Sequence, residues 1–119
     1  MTDIKDHHIF VFGSNLAGIH GAGAARHALQ HYGAIWGQGI GLQGRSYAIP
    51  TKDENIQTLP LEEIERHIKG FLKFAHEHPE MDFLVTPVGC GLAGYQQWQI
   101  KPFFEGMPKN CHFAYTWVI

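Results

Sequence analysis

The stretch FVFGSNLAGIHGAGAARHALQHYG, residues 10–33, passes through three kinds of chain in quick succession. It overlaps HIFVFG (residues 8–13), a continuous apolar run that suits a strand buried on both faces of a sheet. It ends in AGAARHALQHYG (residues 22–33), where Ala and Leu recur at helical spacing and Gly33 stops the run. Between the two lie Ser14, Asn15 and the glycines at 13, 18, 21 and 23. A strand that turns on glycines into a helix is the opening move of an alternating α/β chain.

The rest of the sequence repeats that alternation. SYAIPTK (46–52) is a second strand, with Pro50 marking an edge or a strand terminus. The clearest helix spans 59–77, with Ile64, Ile68, Phe71, Leu72 and Ala75 on one face, and Pro79 stops it. Thr58 and Pro60 sit near its first turn, where Glu62 and Glu63 complement the helix dipole. DFLVTPVG (82–89) is a third strand running into the loop CGLAGY (90–95). A shorter helix is expected around 96–105, restarted at Pro102, and CHFAYTWV (111–118) is the closing strand. AIWGQGIGLQGR (34–45) carries four glycines and is expected to be irregular. The order β-α-β-α-β-α-β predicts a mixed, mostly parallel sheet with helices on both faces, in which ligands bind beyond the carboxyl ends of the strands.

Composition bounds the function. The 119 residues suit one domain, residues 1–119; they are 45% hydrophobic and 17% charged, as in a soluble globular chain. Nine Lys+Arg against eleven Asp+Glu leave a net charge of −2 with no basic tract, which argues against a nucleic-acid groove held by phosphate neutralisation. The longest apolar run is far below membrane-spanning length, and MTDIKDHH lacks the apolar core of a signal peptide, so no membrane partner is expected. Cys90 and Cys111 make no disulfide framework, and the expected compartment is the reducing cytoplasm.

Two loops are candidates for binding an anion. In HGAGAA (20–25) and GCGLAG (89–94) glycines permit positive φ and let an anion approach the backbone N–H groups, and a following helix N-terminus adds partial positive charge. The first loop is neither a Walker loop, since no Lys-Ser/Thr pair follows, nor a dinucleotide fingerprint, since its glycines miss the GxGxxG spacing. Ordinary tight turns are the plain alternative. Cys90, between two glycines, and His20, inside the first loop, are candidates for nucleophile and acid/base. Packing and solvent exposure are their respective alternatives. Arg45 offers a planar fork to a phosphate or is a solvated loop charge. Tyr95 and Trp98 could stack on a base or pack on the following helix, and Trp36 covers a cleft or anchors its loop. His27 and His31 are spaced i,i+4, but no third ligand accompanies them, so no metal is expected.

Taken in order, residues 10–34, YAIPTKD (47–53) and TPVGCGLAGYQQWQI (86–100) resemble the macrodomain pattern of ADP-ribose-binding modules. The branch they resemble most is the terminal ADP-ribose protein glycohydrolase type, which includes antitoxin macrodomains, and small phage or bacterial macrodomain-like proteins. That resemblance implies a three-layer α/β fold that binds ADP-ribose or another NAD-derived nucleotide between its two glycine loops. It implies Ser14, Asn15 and Leu16 at the distal ribose, and Gly21, Ala22 and Gly23 at the diphosphate. Gly89, Cys90, Gly91, Leu92 and Ala93 would form the second phosphate and ribose loop. Lys52 matches the lysine that in this branch attacks the anomeric carbon, a role that needs a lowered pKa or an acid/base neighbour. No cofactor is implied; an ADP-ribosylated protein or nucleic acid is the implied partner for a hydrolase.

Two departures shape the expectation. An aspartate follows GCGL in the hydrolase branch, whereas Ala93 stands here. Macrodomains also begin with an extra strand ending in an adenine-recognising acid, for which residues 1–8 leave no room, so adenine recognition is expected elsewhere. Three readings stay open: hydrolysis of an ADP-ribosyl linkage through Lys52, a non-catalytic reader or sequestering module, and a phosphate-ester hydrolase using His20 or Cys90.

Overall fold

A computed structural model describes residue 5 and residues 7–117. Five strands form one sheet: β1 (His8–Asn15), β2 (Gly41–Gln43), β3 (Ser46–Lys52), β4 (Asp82–Val85) and β5 (Cys111–Phe113), in the order β2-β3-β1-β4-β5. β3, β1, β4 and β5 run parallel, and β2 pairs antiparallel with β3. The helices are α1 (Gly23–His31), α2 (Leu61–Glu77) and α3 (Gln97–Ile100), with a 3-10 turn over Lys101–Phe104.

The alternation of side chains along the strands builds two cores, one on each sheet face. On one face Val11, Ile49, Phe83 and Val85 pack with the Ile64, Ile68, Phe71, Leu72 stripe of α2 and with Ile100 and Phe104. Phe71 has no exposed surface, and its ring meets Tyr47, Phe83 and Phe104 edge-on at 5.0, 5.3 and 6.4 Å. On the other face Phe10, Phe12 and Ala48 meet Ala25, Ala28 and Ala34. The small alanines let α1 lie close to the sheet. α1 is only nine residues long, and beside it Leu84, Thr86 and Ala114 line a cavity instead of a helix.

The structure adjusts several sequence expectations. The glycine-rich segment 34–45 is not wholly irregular, because it contains β2. Its glycines meet the first loop backbone-to-backbone: a Cβ on Gly39 would stand 2.2 Å from the Asn15 carbonyl oxygen. Pro50 lies inside β3, two residues past Ala48, where pairing with β2 ends, so its missing N–H costs no β2 bond. α2 starts at Leu61 with Pro60 as its cap, while Thr58 instead donates its hydroxyl to the Ala93 carbonyl at 3.0 Å. The expected helix at 96–105 is a single α turn continued by a 3-10 turn. The closing strand stops at Phe113; residues 115–117 turn, and Val118 lies outside the described residues. No helix among the described residues is long and apolar enough to cross a membrane.

Candidate nucleotide cleft

β1 and β4 end side by side at the centre of the sheet, so the loops that follow them meet at one edge. The first loop, residues 16–22, is held by its own side chains. Asn15 donates through Nδ2 to the Ile19 carbonyl (2.8 Å) and accepts from the Ile19 amide at Oδ1 (2.9 Å). Ser14 donates its hydroxyl to the Gly39 carbonyl. Gly18, at φ +71°, lies so close to Gly37 that a Cβ would stand 2.3 Å from its carbonyl carbon. These contacts fix the loop from behind and leave its outer edge, Gly21 and Ala22, exposed at the start of α1.

The second loop runs from Gly89 (φ +78°) to Gly94 (φ +91°). Gly89 is packed against Ile100, and its carbonyl accepts from the Tyr95 amide (2.9 Å). Thr58 ties the far side through Ala93. Leu92, 69% exposed, reaches from this loop toward the first: its Cδ1 lies 3.6 Å from where a Cβ on Gly23 would be. The two loops therefore nearly touch over the cleft.

Between and beneath them is a cavity of about 940 Å³, large for a small-molecule site. Of the residues singled out from the sequence, it is lined by Ser14, Asn15, Gly21, Ala22, Gly23, Lys52, Gly89, Cys90, Gly91, Leu92 and Ala93. A register irregularity pairs Ser14 with Pro50 but Asn15 with Lys52, so consecutive residues Thr51 and Lys52 both reach it. Leu16, His20, Arg45 and Tyr95 are not among the lining residues. His20 is fully buried rather than solvated, with Nε2 3.0 Å from the Gln38 carbonyl and Nδ1 without a partner. Arg45 sits at the amino end of β3, over the Tyr32 ring (5.4 Å), and donates to the Lys5 carbonyl (3.2 Å). Tyr95 donates its hydroxyl to the Leu59 carbonyl (2.8 Å). Trp36 and Trp98 are 59% and 75% exposed, outside the lining.

The electrostatics favour an anion. No Asp or Glu lines the cavity. The amides of Gly21, Ala22, Gly91, Leu92 and Ala93 donate to no acceptor, and the first-turn amides of α1 are free by helix geometry. Lys52 makes no ion pair or hydrogen bond through its ammonium. Asp53 is turned away, its Oδ1 accepting from the amides of Asn55 (2.8 Å) and Gln57 (2.9 Å). Burial pushes the Cys90 thiol up to about 11, so it is a neutral thiol near pH 7. No group of three or more His, Cys, Asp or Glu among the described residues is placed to hold a metal.

Lining residues that the sequence did not single out include Thr51, Ile56, Thr86 and Tyr115. Ile56 is the only non-glycine among the described residues in the left-handed region (φ 62°), a costly conformation for a β-branched side chain. Nothing in its local sequence marks it except its place in the Asp53 turn.

No family model matches this chain. No curated protein matches it either. Among solved structures, it is similar to the macrodomain of Mycobacterium tuberculosis DarG, with a TM-score of 0.64 over 92% of this chain and 89% of that one, at 17% identity. The three-layer arrangement, the parallel core of the sheet and this structural match agree: the chain has a macrodomain-like fold.

Proposed function

We propose that this protein binds ADP-ribose, or a related NAD-derived nucleotide, with the diphosphate held between the two glycine loops. The observation that carries the reading is the set of unpaired donors around one cavity. Five loop amides and the Lys52 ammonium face or border it, and no carboxylate does. Charge-assisted bonds from such donors are about twice as strong as neutral ones, and backbone donors are already fixed in place. The resemblance of the loop sequences to ADP-ribose-binding modules selects the nucleotide from among anions of this size. On this reading Ser14 and Asn15 border the distal ribose, Gly21, Ala22 and Gly23 meet the diphosphate, and residues 89–93 close over it.

Binding without turnover is the better-supported form. Hydrolysis through Lys52 needs a group to take or give a proton, and the nearest acidic residue in sequence, Asp53, is engaged by its own turn. Position 93 offers only a methyl group. The placement of Lys52 in the cavity is what favours the hydrolase as a second reading. A phosphate-ester hydrolase using His20 or Cys90 has less support, since His20 is sealed away and the Cys90 thiol is protonated. Soluble ADP-ribosylated protein or nucleic acid would be the partner of a reader and the substrate of a hydrolase.

Calorimetry with ADP-ribose, NAD and AMP tests the binding reading; no heat from any of the three would end it. Release of ADP-ribose from a modified protein or DNA, compared between the wild type and Lys52→Ala, separates the two forms. A reader gives no release from either, whereas a Lys52-dependent hydrolase loses release in the variant.

A further inference from the structure

The cavity is longer than the gap between the loops. On α1 its wall runs from Gly23 through Ala24 to His27, and Tyr32 lies beyond. Ala24 and His27 are three residues apart and therefore share a helix face. The floor is the α1 face of β1 and β4: Phe10 pairs with Leu84 in the register, and Leu84 and Thr86, two apart, point the same way. Ala114, Tyr115 and Thr116, just past β5, close the opposite side. The result is an apolar trough that begins where the loops end and carries no acidic residue.

Within it His27 is unusual. Its ring lies edge-on to Phe10 at 5.6 Å and to Tyr32 at 5.5 Å, and 4.7 Å from His31, so its position is fixed by neighbours. Neither ring nitrogen makes a hydrogen bond. A neutral imidazole carries one donor and one acceptor. The edge of adenine presents an N–H₂ donor beside a ring-nitrogen acceptor, so either imidazole tautomer finds a partner there. From Gly23 to His27 is about 6 Å along the helix at 1.5 Å per residue, a separation that the ribose between a diphosphate and its base can bridge.

We propose that the base of the bound nucleotide lies in this trough beside α1, with His27 reading its edge, so that His27 is a residue that determines base specificity. The assignment rests on the nucleotide reading above. It supplies adenine recognition from a helix rather than from an acidic side chain, and it accounts for the part of the cavity that a diphosphate leaves unfilled.

The test is calorimetry of ADP-ribose and inosine diphosphate ribose, which differ at the 6-position of the purine, on the wild type, His27→Leu and Tyr115→Ala. His27 and Tyr115 are both exposed, and urea midpoints near that of the wild type confirm that the variants fold. The expected result is tighter binding of ADP-ribose than of the inosine analogue by the wild type. His27→Leu then weakens ADP-ribose by about three- to tenfold, the worth of one hydrogen bond, and removes the preference. Unchanged affinity and preference in His27→Leu, above all with a large loss in Tyr115→Ala, would place the base at the β5 rim and overturn the assignment while leaving nucleotide binding intact. Absence of ADP-ribose binding by the wild type would overturn both.

Discussion

Gly39→Ala is the substitution that most sharply tests how the first loop is shaped. Gly39 has no positive φ, so an alanine there is strained by contact alone. Its Cβ would lie 2.2 Å from the Asn15 carbonyl oxygen and 3.0 Å from that of Leu16, both backbone atoms that cannot rotate away. Relief requires the segment before β2 to back off from the loop, and the Gly39 carbonyl is also the acceptor of the buried Ser14 hydroxyl. Overpacking of this kind costs about 1–3 kcal/mol and the hydrogen bond about 1 kcal/mol, together roughly 2–4 kcal/mol of a typical 5–15 kcal/mol. With a urea slope of about 1–3 kcal/mol per molar, the midpoint should fall by roughly 1–2 M while the protein still folds. The control is Gly70→Ala in α2, where a Cβ meets nothing within 4 Å. Removing glycine from a helix there should stabilise by about 0.5–1 kcal/mol. Paired urea titrations followed by tryptophan fluorescence read both changes. The reasoning is refuted if the two variants unfold at the same midpoint, because the close approach of the backbones would then play no part in stability.

Three further outcomes follow from the geometry. Asn110→Ala should cost about 2–4 kcal/mol in urea unfolding, because Nδ2 is the common donor to the carbonyls of Ala75, His78 and Met81 at 3.0, 3.1 and 3.0 Å; a loss below about 0.5 kcal/mol would show that water replaces it. Burial, with the charges of His7 and His112 beside it, lowers His8 from 6.5, and burial lowers His67 as well. The unfolded chain therefore binds more protons than the folded one near and below that value. Stability should be full above it and fall as the pH drops from about 7.5 to about 5.5, and a flat profile would contradict the assignment. Because the Cys90 and Cys111 thiols are pushed up to about 11 and about 12, both should resist a thiol reagent near pH 8 until the protein unfolds. Rapid labelling of the folded protein would contradict that.

The layers of the fold were legible where one signal dominated. The stripe from Ile64 to Ala75 repeats at helical spacing and forms α2, and HIFVFG is buried on both faces as a continuous apolar run should be. Short elements were not legible. β2 is three residues among glycines, and its pairing with Tyr47 and Ala48 depends on tertiary contact rather than on local propensity. The closing strand lost its last residues because the chain turns at Tyr115, which no glycine or proline announces.

At the site, glycine loops and a lysine at a strand end were recognisable because their roles depend on backbone freedom and charge. The roles of His20, Arg45 and Tyr95 were not, since each is decided by a partner distant in sequence: Gln38, Tyr32 and Leu59. Thr51 reaches the cavity only because the β1–β3 register slips beside it, an event invisible in SYAIPTK itself. His27 was weighed as a metal ligand for its i,i+4 partner, but its position on the cavity wall depends on how α1 crosses the sheet.

The central claim is that the two glycine loops hold a diphosphate through their backbone amides. Titration of ¹⁵N-labelled protein with ADP-ribose, followed by amide shifts, addresses those groups one by one. The account predicts saturable shifts at Gly21, Ala22, Gly23, Gly91, Leu92 and Ala93, with amides at the amino ends of the strands, such as those of Arg45 and Asp82, unmoved. Absence of shifts, or shifts confined to the amino ends of the strands, would contradict it.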